Sequence, residues 1–289
     1  MMRMGIVGAE NSHTAAIAGL LNVDRAIKGF RVTHVWGETP ELAAKAAGAG
    51  EIATIVADPA EMVGQIDCVM IDHRDGQFHL PAARRFLKAR IPMFIDKPLC
   101  RSVAQGRSFL RDCARHNVPV TTLSAVPHQE SAKRIARELA AIAPLVSVHL
   151  DGPGGHKGPY GGIWFYGIHL ADLMVELLGP GARQVSACPN GDHCAAVCNY
   201  DNGLTVTMSF FAQPYQYSVS AVGMKGSFQA RLDFDANLYL SSAKIFTRMF
   251  RTGKSPFTAE RMLAPLSVLE ACERSLRTGK PGKVIGSRS

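Results

Sequence analysis

Through the first 123 residues, short apolar runs alternate with amphipathic stretches. The runs cover residues 4–8, 31–36, 52–57, 67–72, 93–95 and 118–123. Each is four to six residues or shorter and rich in Val, Ile and Met, the pattern of strands buried on both faces. Helical periodicity follows at 15–21, 40–47, 80–89 and 103–116. Strand and helix in alternation predict a parallel sheet with right-handed crossovers. The second half reads differently. Residues 147–151, 195–200, 204–211, 217–222 and 228–232 look like strands, with turns at Asp201-Asn202-Gly203 and at 223–227. That predicts an antiparallel meander. Met208, Phe210 and Phe211 either pair subunits or pack on this domain's own helices. Helices are expected at 132–139, 168–178 and 259–276, the last with an apolar stripe of Met262, Leu266, Leu269 and Leu276.

The expected class is therefore α/β. Residues 1–122 form a Rossmann-type, dinucleotide-binding parallel sheet. Residues 123–289 form a second, α+β domain with a mostly antiparallel sheet. No internal repeat or low-complexity segment stands out.

The chain is organised around Ile91-Pro92-Met93-Phe94-Ile95-Asp96-Lys97-Pro98-Leu99. A buried strand ends here on an acid, a lysine and a proline. Open α/β sheets place their chemistry beyond the carboxyl ends of their strands. A desolvated lysine there exchanges a proton near neutral pH. The Lys97-Pro98 bond is a candidate for cis. The competing reading of Lys97 alone is a surface lysine in a turn.

The first strand leads from Gly5 to Gly8 and then, through Glu10, Asn11, Ser12 and His13, into a helix. Asn11 or Ser12 suits an N-cap. Such a turn receives a pyrophosphate, although Glu10 and His13 stand where a G-x-G-x-x-G fingerprint has glycines. At the end of the second strand, Glu38 either holds the adenine ribose or starts the next helix. After the fourth strand come His73 and Arg74, and then His79. Arg74 suits a phosphate or carboxylate, and His79 suits packing or a helix cap as well as a cofactor contact. With Asp96 and Lys97, these residues make up the expected cofactor set.

In the second half, His156 and Lys157 lie in the glycine- and proline-rich stretch 152–162. They either meet an anionic substrate or sit on an exposed loop. His169, Asp172 and Glu176 share a helix face. His169 is expected to face the cleft, with Asp172 orienting it or capping locally; the competing reading is a plain buried histidine, and no metal is assigned. Tyr166 either reaches substrate or belongs to the core. Cys188, His193, Cys194 and Cys198 resemble a zinc set. On a strand, however, Cys194 and Cys198 lie roughly 13 Å apart at about 3.3 Å per residue, too far for one tetrahedral ion.

Net charge +8 over 289 residues favours anionic partners. There is no basic block or zinc-finger spacing to suggest nucleic acid; Lys133, Arg134 and Arg137 read as a solvated helix face. Seven cysteines lack framework spacing, and no signal peptide or membrane-length apolar run is seen. A cytoplasmic protein with reduced thiols is expected.

Gly5-Ile6-Val7-Gly8, Asp67-Cys68-Val69 with His79, and above all Ile95-Asp96-Lys97-Pro98 resemble the glucose–fructose oxidoreductase / inositol dehydrogenase / MocA family. The last element is similar to its Glu-Lys-Pro signature, with Asp for Glu. The resemblance continues in Gly161-Gly162, in Gly167-Ile168-His169-Leu170-Ala171-Asp172, in Leu177-Leu178-Gly179 and in the closing Ser275–Pro281 stretch. It implies bound NAD or NADP and hydride transfer at a secondary alcohol or ketone of a sugar, cyclitol or related small molecule. It also implies Lys97 as the group that moves the hydroxyl proton, His169 as second acid/base or substrate ligand, and a homodimer or homotetramer through the open sheet. The family often has an aspartate four residues before the histidine, where this chain has Phe165. Together with Glu10, that departure motivates an alternative: a homologue without redox turnover that binds a nucleotide or other ligand.

Overall fold

The computed structural model describes residues 1–285. In chain order its strands and helices are β1 (Met2–Val7), α1 (Ser12–Ala18), β2 (Phe30–Trp36), α2 (Pro40–Gly50), β3 (Thr54–Ile55), β4 (Cys68–Ile71), α3 (His79–Leu87), β5 (Met93–Ile95), α4 (Val103–Arg115), β6 (Val120–Thr121), α5 (Glu130–Ala141), β7 (Leu145–Pro153), α6 (Ile163–Leu178), β8 (Ala182–Asn190), β9 (His193–Tyr200), β10 (Thr205–Phe211), β11 (Tyr217–Gly223), β12 (Gly226–Leu232), α7 (Leu240–Thr252), α8 (Ala259–Thr278) and β13 (Gly282–Lys283). Two compact units result. The first comprises Met1–Cys100, Ala104–Leu123 and Tyr239–Thr258; the second comprises Arg101–Val103, Ser124–Leu238 and Ala259 onward.

In the first unit six parallel strands run in the order β3-β2-β1-β4-β5-β6. The order reverses between β1 and β4, the point where such sheets open a crevice for a ligand. β4 and β5 have no exposed residue, which is why they read as unbroken apolar runs. A single cut near residue 122 does not describe this unit, because α7 returns to it. Ala243, Phe246, Met249 and Phe250 form one buried face of α7. Phe246 stacks on Phe94 of β5 at 4.4 Å between centroids. Burial of each such ring contributes about 1.5–3 kcal/mol, enough to hold a helix that sits over a hundred residues away in sequence.

The second unit is a seven-stranded sheet in the order β12-β11-β7-β10-β9-β8-β13. The expected simple meander is corrected here. β7 inserts between β10 and β11, pairing parallel with β10 and antiparallel with β11. β9 and β10 form the hairpin expected around Asp201-Asn202-Gly203. Met208 and Phe210 are buried, so they are core residues of this unit and not a free face. α6 starts five residues before the expected helix, at Ile163. Lys133, Arg134 and Arg137 are exposed on α5, as a solvated face requires. Among the described residues no helix is long and apolar enough to cross a membrane.

Candidate active site

The first unit gathers its chemistry where β1, β4 and β5 end side by side. The ladder continues one residue past the strands: Asp72 N donates to Val7 O at 2.7 Å, and Asp96 N donates to Ile71 O at 2.8 Å. Gly8 lies in the left-handed region at φ +112°, and a Cβ on it would sit 2.6 Å from the backbone of Asp72 and His73. Only glycine lets the first turn approach β4 this closely.

This juxtaposition brings two buried carboxyl groups together. Asn11 Nδ2 donates to Asp72 Oδ1 at 2.9 Å and to Asp96 Oδ2 at 3.1 Å. Asn11 is the N-cap of α1, but its side chain does not cap the helix as expected, because it is spent on the carboxyl groups. His13 Nδ1 lies 3.1 Å from Asp96 Oδ2. The Thr14 hydroxyl lies against both Gly8 O, at 2.7 Å, and Asp72 Oδ2. Thr14 has one proton. It donates to Gly8 O or to Asp72 Oδ2, one at a time. Burial and the Asp96 charge push the Asp72 carboxyl well above the usual range. Asp96 goes the other way: burial opposes ionisation, but His13, Lys97 and His79 hold its carboxyl below the usual range. His13, Asp72 and Asp96 are also the one group among the described residues with the spacing to hold a metal ion.

Lys97 follows Asp96 and is only 5% exposed, so the surface-turn reading does not hold. Burial lowers its pKa; Asp96 and Asp72 oppose this, and Arg74 adds to it. The Lys97-Pro98 bond is cis. His79 lies between the two loops that follow β4 and β5. It is fully buried, with Nδ1 at 2.7 Å from Pro98 O and Nε2 at 2.8 Å from His73 O. A neutral ring donates to one of these carbonyls at a time, and its place between them packs the Lys97-Pro98 turn against the loop after β4. At Gly5 a Cβ would meet Met62 Sδ at 2.7 Å, so glycine lets the segment after β3 pack close on β1.

Around the β2 end, Glu38 Oε2 accepts from Ala9 N at 2.8 Å and Glu10 N at 2.9 Å. Thr39 is the N-cap of α2, so Glu38 is not the residue that starts that helix. Its Oε1 and His73 Nδ1 are buried without hydrogen-bond partners. Burial, and next His79, lower the His73 pKa to about 4, which keeps the ring neutral. The Trp36 and His73 rings lie 5.7 Å apart. Ser12 is exposed and Arg74 half-buried.

In the second unit, His169 is buried on α6 and its Nδ1 lies 2.7 Å from Ser124 Oγ. Ser124 Oγ also accepts from Val126 N at 3.1 Å. Using the serine proton toward Nδ1 leaves the imidazole proton on Nε2. Asp172 does not orient His169 directly, as the sequence suggested. It accepts from Ser124 N at 2.8 Å and from Arg261 Nη1 at 2.6 Å, and so fixes the serine that fixes the histidine. Arg261 also donates to Glu176 at 2.8 Å. Tyr166 is 38% exposed and lies 6.1 Å from the His169 ring. His156 is bonded to Gly191 O at 2.9 Å, and Lys157 is exposed. Cys194 and Cys198 both face the buried side of β9, among core residues.

Asp72, Thr14 and Ser124 were not singled out from sequence. Asp72 ends an apolar strand just as Asp96 does, and that parallel was the available signal.

No curated protein matches the chain. Among solved structures, apo scyllo-inositol dehydrogenase from Lactobacillus casei superposes with TM-score 0.85 at 16% identity over 98% of each chain. Myo-inositol dehydrogenase from Lactobacillus casei, in complex with NAD(H) and myo-inositol, gives 0.84 at 16% identity over 98% of this chain and 97% of that one. An oxidoreductase from Agrobacterium radiobacter in complex with NAD+, L-tartaric acid and magnesium gives 0.82 at 14% over 98% of each. At these identities the likeness is one of fold. Residues 2–124 match the model of an oxidoreductase family with an NAD-binding Rossmann fold. Over those residues the chain is similar to that family, and the rest of the chain lies outside the match.

Proposed function

We propose that the protein is an NAD-dependent oxidoreductase acting on a secondary alcohol or ketone of a sugar, cyclitol or related polar small molecule. The observation that carries this reading is Lys97: a buried amine of lowered pKa at the carboxyl end of a central strand, in an NAD-binding fold. Bound NAD supplies the hydride acceptor. Lys97 takes the proton of the substrate hydroxyl in oxidation and returns it in reduction, the work of a general base with a pKa brought toward neutrality. In the second unit, His169 is our candidate for holding the substrate oxygen or relaying its proton, with Tyr166 as a further substrate contact.

The residues fit the adenosine end of this cofactor. Glu38 Oε1, buried and without a partner, suits a ribose hydroxyl donor and repels a 2′-phosphate. NAD is therefore favoured over NADP. No side chain caps the first turn of α1, which leaves its N–H groups available to a pyrophosphate. Inositol-bound relatives of the same fold support a cyclitol-like substrate. Seven free cysteines support a reducing, cytoplasmic setting, and the family resemblance supports a homodimer or homotetramer.

A second reading, ligand binding without turnover, draws on one observation: Glu38 already occupies the Ala9 and Glu10 N–H groups of the nucleotide turn. Fluorescence titration with NADH and NADPH separates the readings. Saturation by NADH is expected, and silence with both nucleotides supports the second. Lys97→Met is expected to abolish turnover while NADH still binds; unchanged turnover defeats the assignment of Lys97.

A further inference from the structure

Four separate segments of the second unit bring aromatic rings to one place beside His169. Tyr160 precedes α6, Phe165 and Tyr166 lie in its first turn, Tyr215 precedes β11, and Phe234 follows β12. The ring centroids form a continuous chain: Tyr160 to Phe165 at 4.9 Å, Phe165 to Tyr166 at 4.5 Å, Tyr166 to Tyr215 at 5.5 Å and Tyr215 to Phe234 at 6.0 Å. These are tilted and edge-to-face arrangements at the separations that aromatic pairs prefer. The cluster is not a closed core, because Tyr166, Tyr215 and Phe234 are 38%, 47% and 37% exposed.

We infer that this aromatic wall receives an aryl group joined to the substrate's polyol, so that the substrate class is an aryl glycoside or similar aryl-substituted polyol. The inference rests on the oxidoreductase reading for the polyol half and deepens it. A bare cyclitol carries hydroxyls around its whole rim, and these need polar partners. Here the position four residues before His169 is filled by Phe165, and the ring next to the histidine is that of Tyr166. The area decides between a small molecule and a protein partner. At about 200 Å² per large aromatic residue, the three open rings expose roughly 250 Å². That matches one flat aryl group and falls well short of the ~800 Å² per side of a stable protein interface. Tyr160, Tyr166 and Tyr215 each bring one hydroxyl to the wall, the few polar groups that small-molecule sites combine with an apolar lining.

The test pairs glycosides that differ only in the aglycone. Phenyl and methyl β-glycosides of glucose, galactose, mannose and xylose are titrated calorimetrically into the whole 289-residue chain saturated with NAD. For the best-bound sugar, the phenyl member is expected to bind about tenfold tighter than the methyl member. Tyr215→Ala and Phe234→Ala each bring the phenyl-to-methyl ratio toward one, and Phe234→Tyr keeps it. Equal constants for the wild-type protein, or no binding by any phenyl member, overturn the inference, and this result does not depend on any variant folding. NADH formation is read in the same series. Phenyl preference without NADH leaves the aryl-binding wall standing and removes the oxidoreductase reading on which the polyol half rests. NADH formation with equal constants does the reverse.

Discussion

Asp72 and Asp96 end adjacent parallel strands, and one amide, Asn11 Nδ2, bridges a carboxyl oxygen of each. Two like charges at this separation in a buried site do not both ionise. Burial and the neighbouring Asp96 charge raise the pKa of Asp72, which makes it the carboxyl that holds a proton, although Thr14 opposes this. Below the unfolded value near pH 4, both states hold that proton. As pH rises toward the folded value, only the folded state holds it, so this group's contribution to stability is lost across that window. Asp72→Asn mimics the neutral acid. Its urea midpoint is expected to match the wild type near pH 4 and to gain on it steadily as pH rises. A constant difference across that range would show that Asp72 does not titrate there.

Asp96 responds in the opposite sense. Its folded pKa is depressed, so it contributes stability above the unfolded value, and this is lost as pH falls below it. Asp96→Asn leaves Lys97 and His13 without their carboxylate. A loss of about 3 kcal/mol at pH 7 is expected, in line with breaking one side of a buried ion pair. Denaturant unfolding at pH 7 measures it; a loss under about 1 kcal/mol would mean that the neighbours find other partners.

Lys97 makes a kinetic prediction. Alcohol oxidation requires the neutral amine, so kcat/KM should rise with pH through the Lys97 pKa. Burial puts that limb below the ordinary lysine value of about 10.4. Lys97→Arg keeps a charge but does not deprotonate in this range. It should lose about 10²-fold or more in kcat together with the limb itself. A limb that persists in the Arg variant belongs to another group.

The strands of the first unit were legible because β4 and β5 are buried on both faces and carry no polar interruption. Lys97 stood out for the same reason, as a charge at the end of such a run. Asn11, Thr14 and Asp72 were not legible in their roles. The bonds from Asn11 span 61 and 85 residues, and no local pattern carries that register. Asn11 did look like an N-cap, and it stands at that position, but two carboxyl groups outcompete the helix for its side chain. α7 was missed because its apolar face is matched by Phe94 of β5, far away in the chain. The meander failed at β7, whose place between β10 and β11 follows from a parallel pairing that turn residues do not announce. Ser124 carries no motif at all; the strand-to-helix path before it brings it under His169.

Glu38 gives a test of cofactor choice. Its two oxygens divide their work: Oε2 holds the Ala9 and Glu10 N–H groups, and Oε1 has no protein partner. Glu38→Gln removes the charge that favours a ribose diol and repels a phosphate. NADH affinity is expected to fall about tenfold, the worth of one charged hydrogen bond, while NADPH affinity holds or rises. Parallel fluorescence titrations of both nucleotides check this. An equal fall for both would place the role of Glu38 in the turn alone.

The chain from Arg261 through Asp172 and Ser124 to His169 separates structural from functional contributions within the second unit. Asp172 is 3% exposed and accepts from both Ser124 N and the Arg261 guanidinium. Asp172→Ala strands a largely buried cation, which Glu176 balances only in part, and should cost about 3 kcal/mol in denaturant unfolding. Ser124→Ala leaves that ion pair in place and deletes only the hydroxyl against His169 Nδ1, for about 1 kcal/mol. Its larger expected effect is on the imidazole. Without the serine proton to accept, Nδ1 is free to carry the ring proton, and the Nε2–H tautomer loses its support. Nitrogen-15 NMR of the labelled His169 ring should therefore show a shift toward Nδ1–H in Ser124→Ala. Ser124→Thr, which keeps the hydroxyl, should restore the wild-type pattern. An unchanged tautomer in Ser124→Ala would mean that the orientation of His169 is set by packing on α6 and not by this hydrogen bond.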